Sequence, residues 1–100
     1  MENTPQDFQE DGKYHFLLFI SGMSVKSVHA IENLRAICDT YLKDNFELEI
    51  IDISRNKEQA VIHQIIAIPT LIKTKPFNKR IILGDLSDSQ KVLSLLDITV

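Results

Sequence analysis

The chain is 100 residues long with 44% hydrophobic side chains, enough for one small core and one domain. Its formal charge of -3 is uneven: Glu2, Asp7, Glu10 and Asp11 fall in the first twelve residues, which hold no Lys or Arg, and the remaining body has eleven basic against ten acidic side chains. That near-neutral body argues against a nucleic-acid binder, and no apolar run approaches the roughly 20 residues that cross a bilayer.

Residues 1–12 read as a disordered acidic tail and 13–100 as the folded domain, with neither the basic end nor the greasy stretch of a signal peptide; a cytoplasmic location is expected. Tyr14 to Ile20 is an almost unbroken apolar run, the pattern of a strand buried on both faces. Ser21-Gly22-Met23-Ser24 turns the chain. Val25, Val28, Ile31, Leu34, Cys38 and Tyr41 or Leu42 then mark a long amphipathic helix ending near Asn45. Phe46, Leu48 and Ile50 alternate with Glu47 and Glu49 before Ile51 and Ile53, a second strand with one wetter half, at a sheet edge.

Asn56 is placed to cap a short helix carrying Ala60, Val61, Ile62, Ile65 and Ile66, which must stop before Pro69. Thr70 to Lys75 and Lys79 to Leu83 read as a hairpin around Pro76-Phe77-Asn78. After Gly84, Ser87 and Gln90 form a capping box for a last helix, Leu86 to Ile98, with Val92, Leu93 and Leu96 inward. The order β-α-β-α-β-β-α, with a proline opening the third strand, predicts an α/β, thioredoxin-like fold whose four-stranded mixed sheet holds the first strand inside.

Dithiol enzymes of that fold need Cys-x-x-Cys at the first strand-to-helix turn, where a helix N-terminus stabilises a thiolate. Here the turn offers two serines, which cannot cycle between redox states. Cys38 is a lone thiol at a helical position, a packing residue with no partner for a disulfide or thiolate metal site. His15 starts the buried strand, and His29 and His63 are expected on helix surfaces, with no spacing that joins two imidazoles on a metal. Asp85 and Asp88 are explained by capping. No catalytic residue, cofactor or metal is expected, and neither a phosphate loop nor a nucleophile elbow is present.

Leu48-Glu49-Ile50-Ile51-Asp52-Ile53-Ser54-Arg55-Asn56, Ile68-Pro69-Thr70-Leu71, Arg80-Ile81-Ile82-Leu83-Gly84-Asp85-Leu86-Ser87-Asp88 and Lys91-Val92-Leu93 occur in an order and spacing that resembles the KaiB family of clock-associated proteins. The resemblance runs from about Tyr14 to Ile98; Val25, Lys57 and the Lys73 to Phe77 stretch depart from the prolines common in the family. It implies a non-enzymatic partner of KaiC, a ring-forming ATPase, acting in circadian or stress-related signalling, and self-association as a dimer or tetramer. It also implies a second, ground-state packing, β-α-β-β-α-α-β. The ambivalent segments Ile65 to Ile68 and Val92 to Val100 are compatible with that exchange over residues 56–100, and equally with one fixed fold.

Lys73 and Lys75 are expected on one side of their strand, beside Lys79 and Arg80, and with Arg55 they form the expected docking set. Lysines on an edge strand also simply discourage aggregation. Pro69, whose bond to Ile68 could be cis, with Gly84, Asp85 and Asp88, is expected to choose the conformation. Against this reading stand a stress-response adaptor with another partner and a degenerate thioredoxin-like oxidoreductase.

Overall fold

The first strand, β1 (Tyr14–Ile20), lies inside the sheet, as its apolar run requires. The structure is a computed structural model that describes residues 12–98, so the expected acidic tail lies outside the described residues except for Gly12. On one side β1 pairs in parallel with β2 (Phe46–Asp52), Tyr14 opposite Phe46 and Ile20 opposite Asp52. On the other it pairs antiparallel with β3 (Thr70–Lys75), which pairs antiparallel with β4 (Arg80–Leu83). The order β2-β1-β3-β4 is the expected mixed sheet, with β2 at an edge.

Alternation along the strands divides the apolar residues between two faces. Phe16, Leu18 and Ile20, with Leu71 and Ile82, pack under α1 (Val25–Ile37) and α3 (Ser89–Leu95) in the main core. Phe19, Ile51 and Ile72 form a smaller cluster on the other face, joined by Leu17, Ile53, Ile65 and Ile68. Each fully buried Leu or Phe contributes about 1.5–3 kcal/mol by leaving water, so the core is concentrated on the face with two helices.

The helices differ in detail from their sequence reading. Ser27, Ala30, Leu34 and Ile37 form the buried stripe of α1, whereas Val25 is 71% exposed. Ser24 caps the helix, and Ser27 can be buried because its hydroxyl is hydrogen-bonded. A π-helical turn, Cys38–Leu42, follows, with Lys43 N–H donating to Cys38 O at 2.7 Å. The wider turn keeps both Cys38 and Leu42 inward, and Lys43 at φ 54 ends it.

The short helix α2 (Lys57–Ile62) buries none of its residues, leaving Val61 and Ile62 exposed; Ile65 and Ile66 lie beyond its end. Asn56 precedes α2 without a side-chain capping bond, because its amide donates to Asp52 O instead. At the last helix the expected capping box does not form. Leu86 at φ 64 cannot continue a helix, and Asp88 caps α3 by accepting from Lys91 N–H at 3.2 Å. A carboxylate is a strong acceptor at a helix start, so the helix begins two residues after Ser87. Val92, Leu93 and Leu96 face inward as expected.

Candidate functional site

The register brings the end of β1, the end of β2, the start of β3 and the end of β4 to one end of the sheet. The Ser21 to Ser24 turn, where a dithiol enzyme would carry its cysteines, sits there as a closed hydrogen-bond network. Ser24 Oγ accepts from Ser27 N–H at 3.3 Å and donates to Ser27 Oγ at 2.8 Å, while Ser21 N–H donates to the same Ser27 oxygen at 3.3 Å. Ser27 is the hub. Its burial was not read from the sequence, where its neighbour Val28 carried the apolar signal.

Asp52 ties this turn to the next loop: its Oδ1 accepts from Gly22 N–H at 3.0 Å, Ser54 N–H at 3.0 Å and Ser54 Oγ at 2.7 Å. The Gly22 N–H, followed by Ser54, holds the Asp52 carboxyl below its ordinary range. The signal available in the sequence was the Asp52-Ile53-Ser54 spacing, which allows an aspartate to bond the backbone two residues on. Arg55 follows, exposed, its N–H donating to Asp52 O at 3.1 Å.

Three of the four residues expected to choose the conformation meet at this same end. Gly84 N–H donates to Pro69 O at 3.0 Å, and the Ile68–Pro69 bond is cis. Gly84 takes φ 107, a backbone region that side chains disfavour. Asp85 follows, its backbone oxygen accepting from Asn33 Nδ2 of α1 at 2.8 Å and its Oδ1 accepting from Ser87 N–H at 3.1 Å. Those Ser87 hydrogen bonds hold its carboxyl below the ordinary range, with His29 and Lys26 adding a smaller pull. Asp88 stands one turn away as the α3 cap. A cleft of about 360 Å³ runs between β4, the loop from Gly84 to Asp88, and α3.

The docking set is divided. Lys75 pairs with His15 and Arg80 with Lys73, placing them at the end of the sheet opposite Arg55. The patch expected from Lys73 and Lys75 is corrected by the structure: Lys73 is 0% exposed, while Lys75 and Lys79 are in solvent. Alternation puts Lys73 with Leu71 on the face covered by helices, whereas Lys75 ends the strand. The Lys73 ammonium donates to Pro76 O, lies 4.0 Å from Asp97 Oδ2 and stands over the Tyr14 ring at 5.9 Å from its centre. Burial lowers its pKa, with Asp97 opposing that shift. Arg80 is engaged as well, Nε 3.2 Å and Nη2 3.5 Å from the two Asp97 oxygens. Asp97, which the sequence reading passed over, organises that end.

His29 is exposed as expected, whereas His63 is half-buried beyond α2 and packs against Phe19, the ring centres 5.1 Å apart and the planes tilted by 51°. Among the described residues there is no group of three His, Cys, Asp or Glu placed to hold a metal ion. Cys38 is enclosed, and burial, with Asp39 second, pushes its thiol up to about 12. A thiol that stays protonated is a poor nucleophile.

The sequence model of the KaiB domain matches residues 17–98. The chain belongs to the KaiB family. It is 43% identical over 81 residues to the circadian clock protein KaiB3 of Synechocystis sp. (strain ATCC 27184 / PCC 6803 / Kazusa), covering 81% of this chain and 79% of that relative. Among solved structures it is similar to the N-terminal domain of SasA from Synechococcus elongatus (TM-score 0.69, 18% identity, 85% of this chain and 84% of that one). It is also similar to the germline-specific thioredoxin Deadhead of Drosophila melanogaster (TM-score 0.68, 14% identity, 92% and 86%). The KaiB chain is therefore thioredoxin-like in fold. Its relatives carry the names of clock proteins rather than of enzymes.

Proposed function

We propose that this KaiB-family chain is a cytoplasmic, non-enzymatic regulatory protein that binds a KaiC-type ATPase in circadian or stress-related signalling. The observation that carries the reading is the turn at the dithiol position, where Ser21, Ser24 and Ser27 are committed to one another and the thiol of Cys38 is buried elsewhere. With that end of the sheet locked by hydrogen bonds, what it offers is a shaped surface: Arg55 on the loop after β2, and Gly84 to Asp88 beside α3. Lys75 and Lys79 offer a second basic surface at the opposite end, and a partner of ordinary footprint engages one end at a time. Arg55 is the preferred anchor, because it stands next to the ordered Asp52 loop.

A pull-down with the KaiC-type protein of the same organism tests this. The unmodified chain is retained and Arg55→Glu is retained less; absence of retention in both nucleotide states of the ATPase refutes the proposal and leaves the adaptor with another partner. Insulin reduction by the purified chain would instead establish the oxidoreductase reading.

The second packing of residues from Asn56 onward belongs to the same proposal. It is supported by α2, which buries no residue and so gives up little when it leaves. Heteronuclear NMR at several concentrations shows two slowly exchanging peak sets for Gly84 to Leu96 if the exchange occurs; one invariant set excludes it.

A further inference from the structure

The start of β1 and the tip of the β3–β4 hairpin lie at the same end of the sheet. His15 stands opposite Lys75, and following the antiparallel strands outward from that pair brings Gly12 to the level of the tip. There Phe77, at φ 60, is 82% exposed, with Lys75 and Lys79 in solvent on either side of it. The other two cations of the hairpin, Lys73 and Arg80, are taken by Asp97. Among the described residues neither the Lys75 nor the Lys79 ammonium has an ion-pair partner. Lysines at a sheet edge discourage aggregation, but that role does not need an aromatic ring held between them.

The chain enters this end from residues 1–11, which lie outside the described residues and carry Glu2, Asp7, Glu10 and Asp11, no Lys or Arg, and one aromatic ring, Phe8. Gly12 is held at the entry, its carbonyl accepting from Asn45 Nδ2 at 3.0 Å. Phe8 is four residues before Gly12, an extended reach of up to about 14 Å, and neighbouring strands are about 4.8 Å apart, so the hairpin tip is within range. The opposite direction is unfavourable to acidic residues: Asp44 and Glu47 border the entry on the β2 side, and Glu47 already faces Lys13 at 4.0 Å. We propose that residues 2–11 fold back over the β3–β4 hairpin of their own chain, Phe8 on Phe77 and the acidic side chains on Lys75 and Lys79, so that the basic surface at this end is occupied from within. Exposed ion pairs are individually weak, and ring contact adds apolar burial to them, so the docked state is reversible and salt-sensitive. A partner presenting acidic groups must displace the segment, while the Arg55 end stays open. Because it uses the end of the sheet opposite Arg55, the inference stands or falls apart from the ATPase proposal.

Paramagnetic relaxation in the full chain tests it. A nitroxide on Gln6→Cys marks that position alone, because Cys38 is buried. The expected result is broadening of the Lys75, Phe77 and Lys79 amides at about 0.1 M salt that is at least halved at about 1 M, where the screening length falls from roughly 10 Å to roughly 3 Å. Lys75→Glu with Lys79→Glu removes the broadening, and adding Glu10→Lys with Asp11→Lys restores it, each variant being checked for folding by circular dichroism. In a second measurement an acidic probe, hexaglutamate, binds roughly three- to tenfold more tightly when Glu2, Asp7, Glu10 and Asp11 are replaced by their amides. Broadening that is absent from the hairpin, that falls on the Asp44 to Glu47 segment instead, or that neither salt nor charge reversal changes overturns the proposal. So does equal hexaglutamate affinity with and without the four acids, or equal broadening when nitroxide and isotope label are carried by different copies of the chain.

Discussion

Lys73 Nζ lies 4.0 Å from Asp97 Oδ2, a wholly buried ammonium facing a carboxylate that remains 37% exposed. The pair joins the β3–β4 hairpin to Asp97, two residues past the end of α3, and Arg80 and Tyr14 O–H close the same cluster on the Asp97 side chain and backbone oxygen. The two partners are not equivalent. Removing Asp97 strands a buried charge, whereas removing Lys73 leaves a carboxylate that still has Arg80 and water.

Asp97→Ala is therefore expected to destabilise the fold by about 1–3 kcal/mol, and Lys73→Met to cost much less or to stabilise it. Urea denaturation at neutral pH measures both. Since burial lowers the Lys73 pKa, protonation of this group opposes folding at neutral pH, and that penalty fades as the pH rises toward the ordinary 10.5. The advantage of Lys73→Met should accordingly shrink in alkaline buffer; an advantage that grows with pH would contradict the assignment.

The thiol of Cys38 makes a separate alkaline prediction. Its pKa rises on folding from an ordinary 9.0 to about 12, so the stability it contributes is complete below the unfolded value and is lost as the pH climbs between the two. The loss approaches about 1.4 kcal/mol per pH unit in that window. Cys38→Ala removes this slope, at the cost of a small cavity. Comparing denaturation midpoints of the two proteins at about pH 8 and about pH 10.5 checks the sign.

Gly84 at φ 107 has open space where a Cβ would stand, so substitution there meets backbone strain rather than a clash. Gly84→Ala should cost about 1–2 kcal/mol, and adding a larger side chain should add little more. Thermal unfolding of Gly84→Ala and Gly84→Ser side by side measures this; a much larger loss for Ser would point to a steric contact.

Leu34 is 0% exposed at the centre of the main core, whereas Ile62 on α2 is 65% exposed. Leu34→Ala is expected to cost about 2–5 kcal/mol and Ile62→Ala less than about 1 kcal/mol. Equal effects in urea denaturation would mean that the second face of the sheet is covered more fully than the structure shows.

Where a feature depends on neighbours along the chain, the residues alone determined it. The apolar run from Tyr14 to Ile20 dictated an interior strand, Pro69 marked the start of the third strand, Gly84 marked the end of the hairpin, and serines at the first turn removed dithiol chemistry. Propensity and alternation act over a few residues, so these features survive without knowledge of what packs where. Only the tertiary structure decided that Lys73 is buried while Lys75 is not, that Arg55 and the other basic residues occupy opposite ends of the sheet, that Ser27 rather than Val25 faces the core, and that Asp97 gathers Lys73, Arg80 and Tyr14. Those outcomes are fixed by register and by the angle at which helices cross the sheet, which join residues far apart in sequence, and a local pattern carries no information about either.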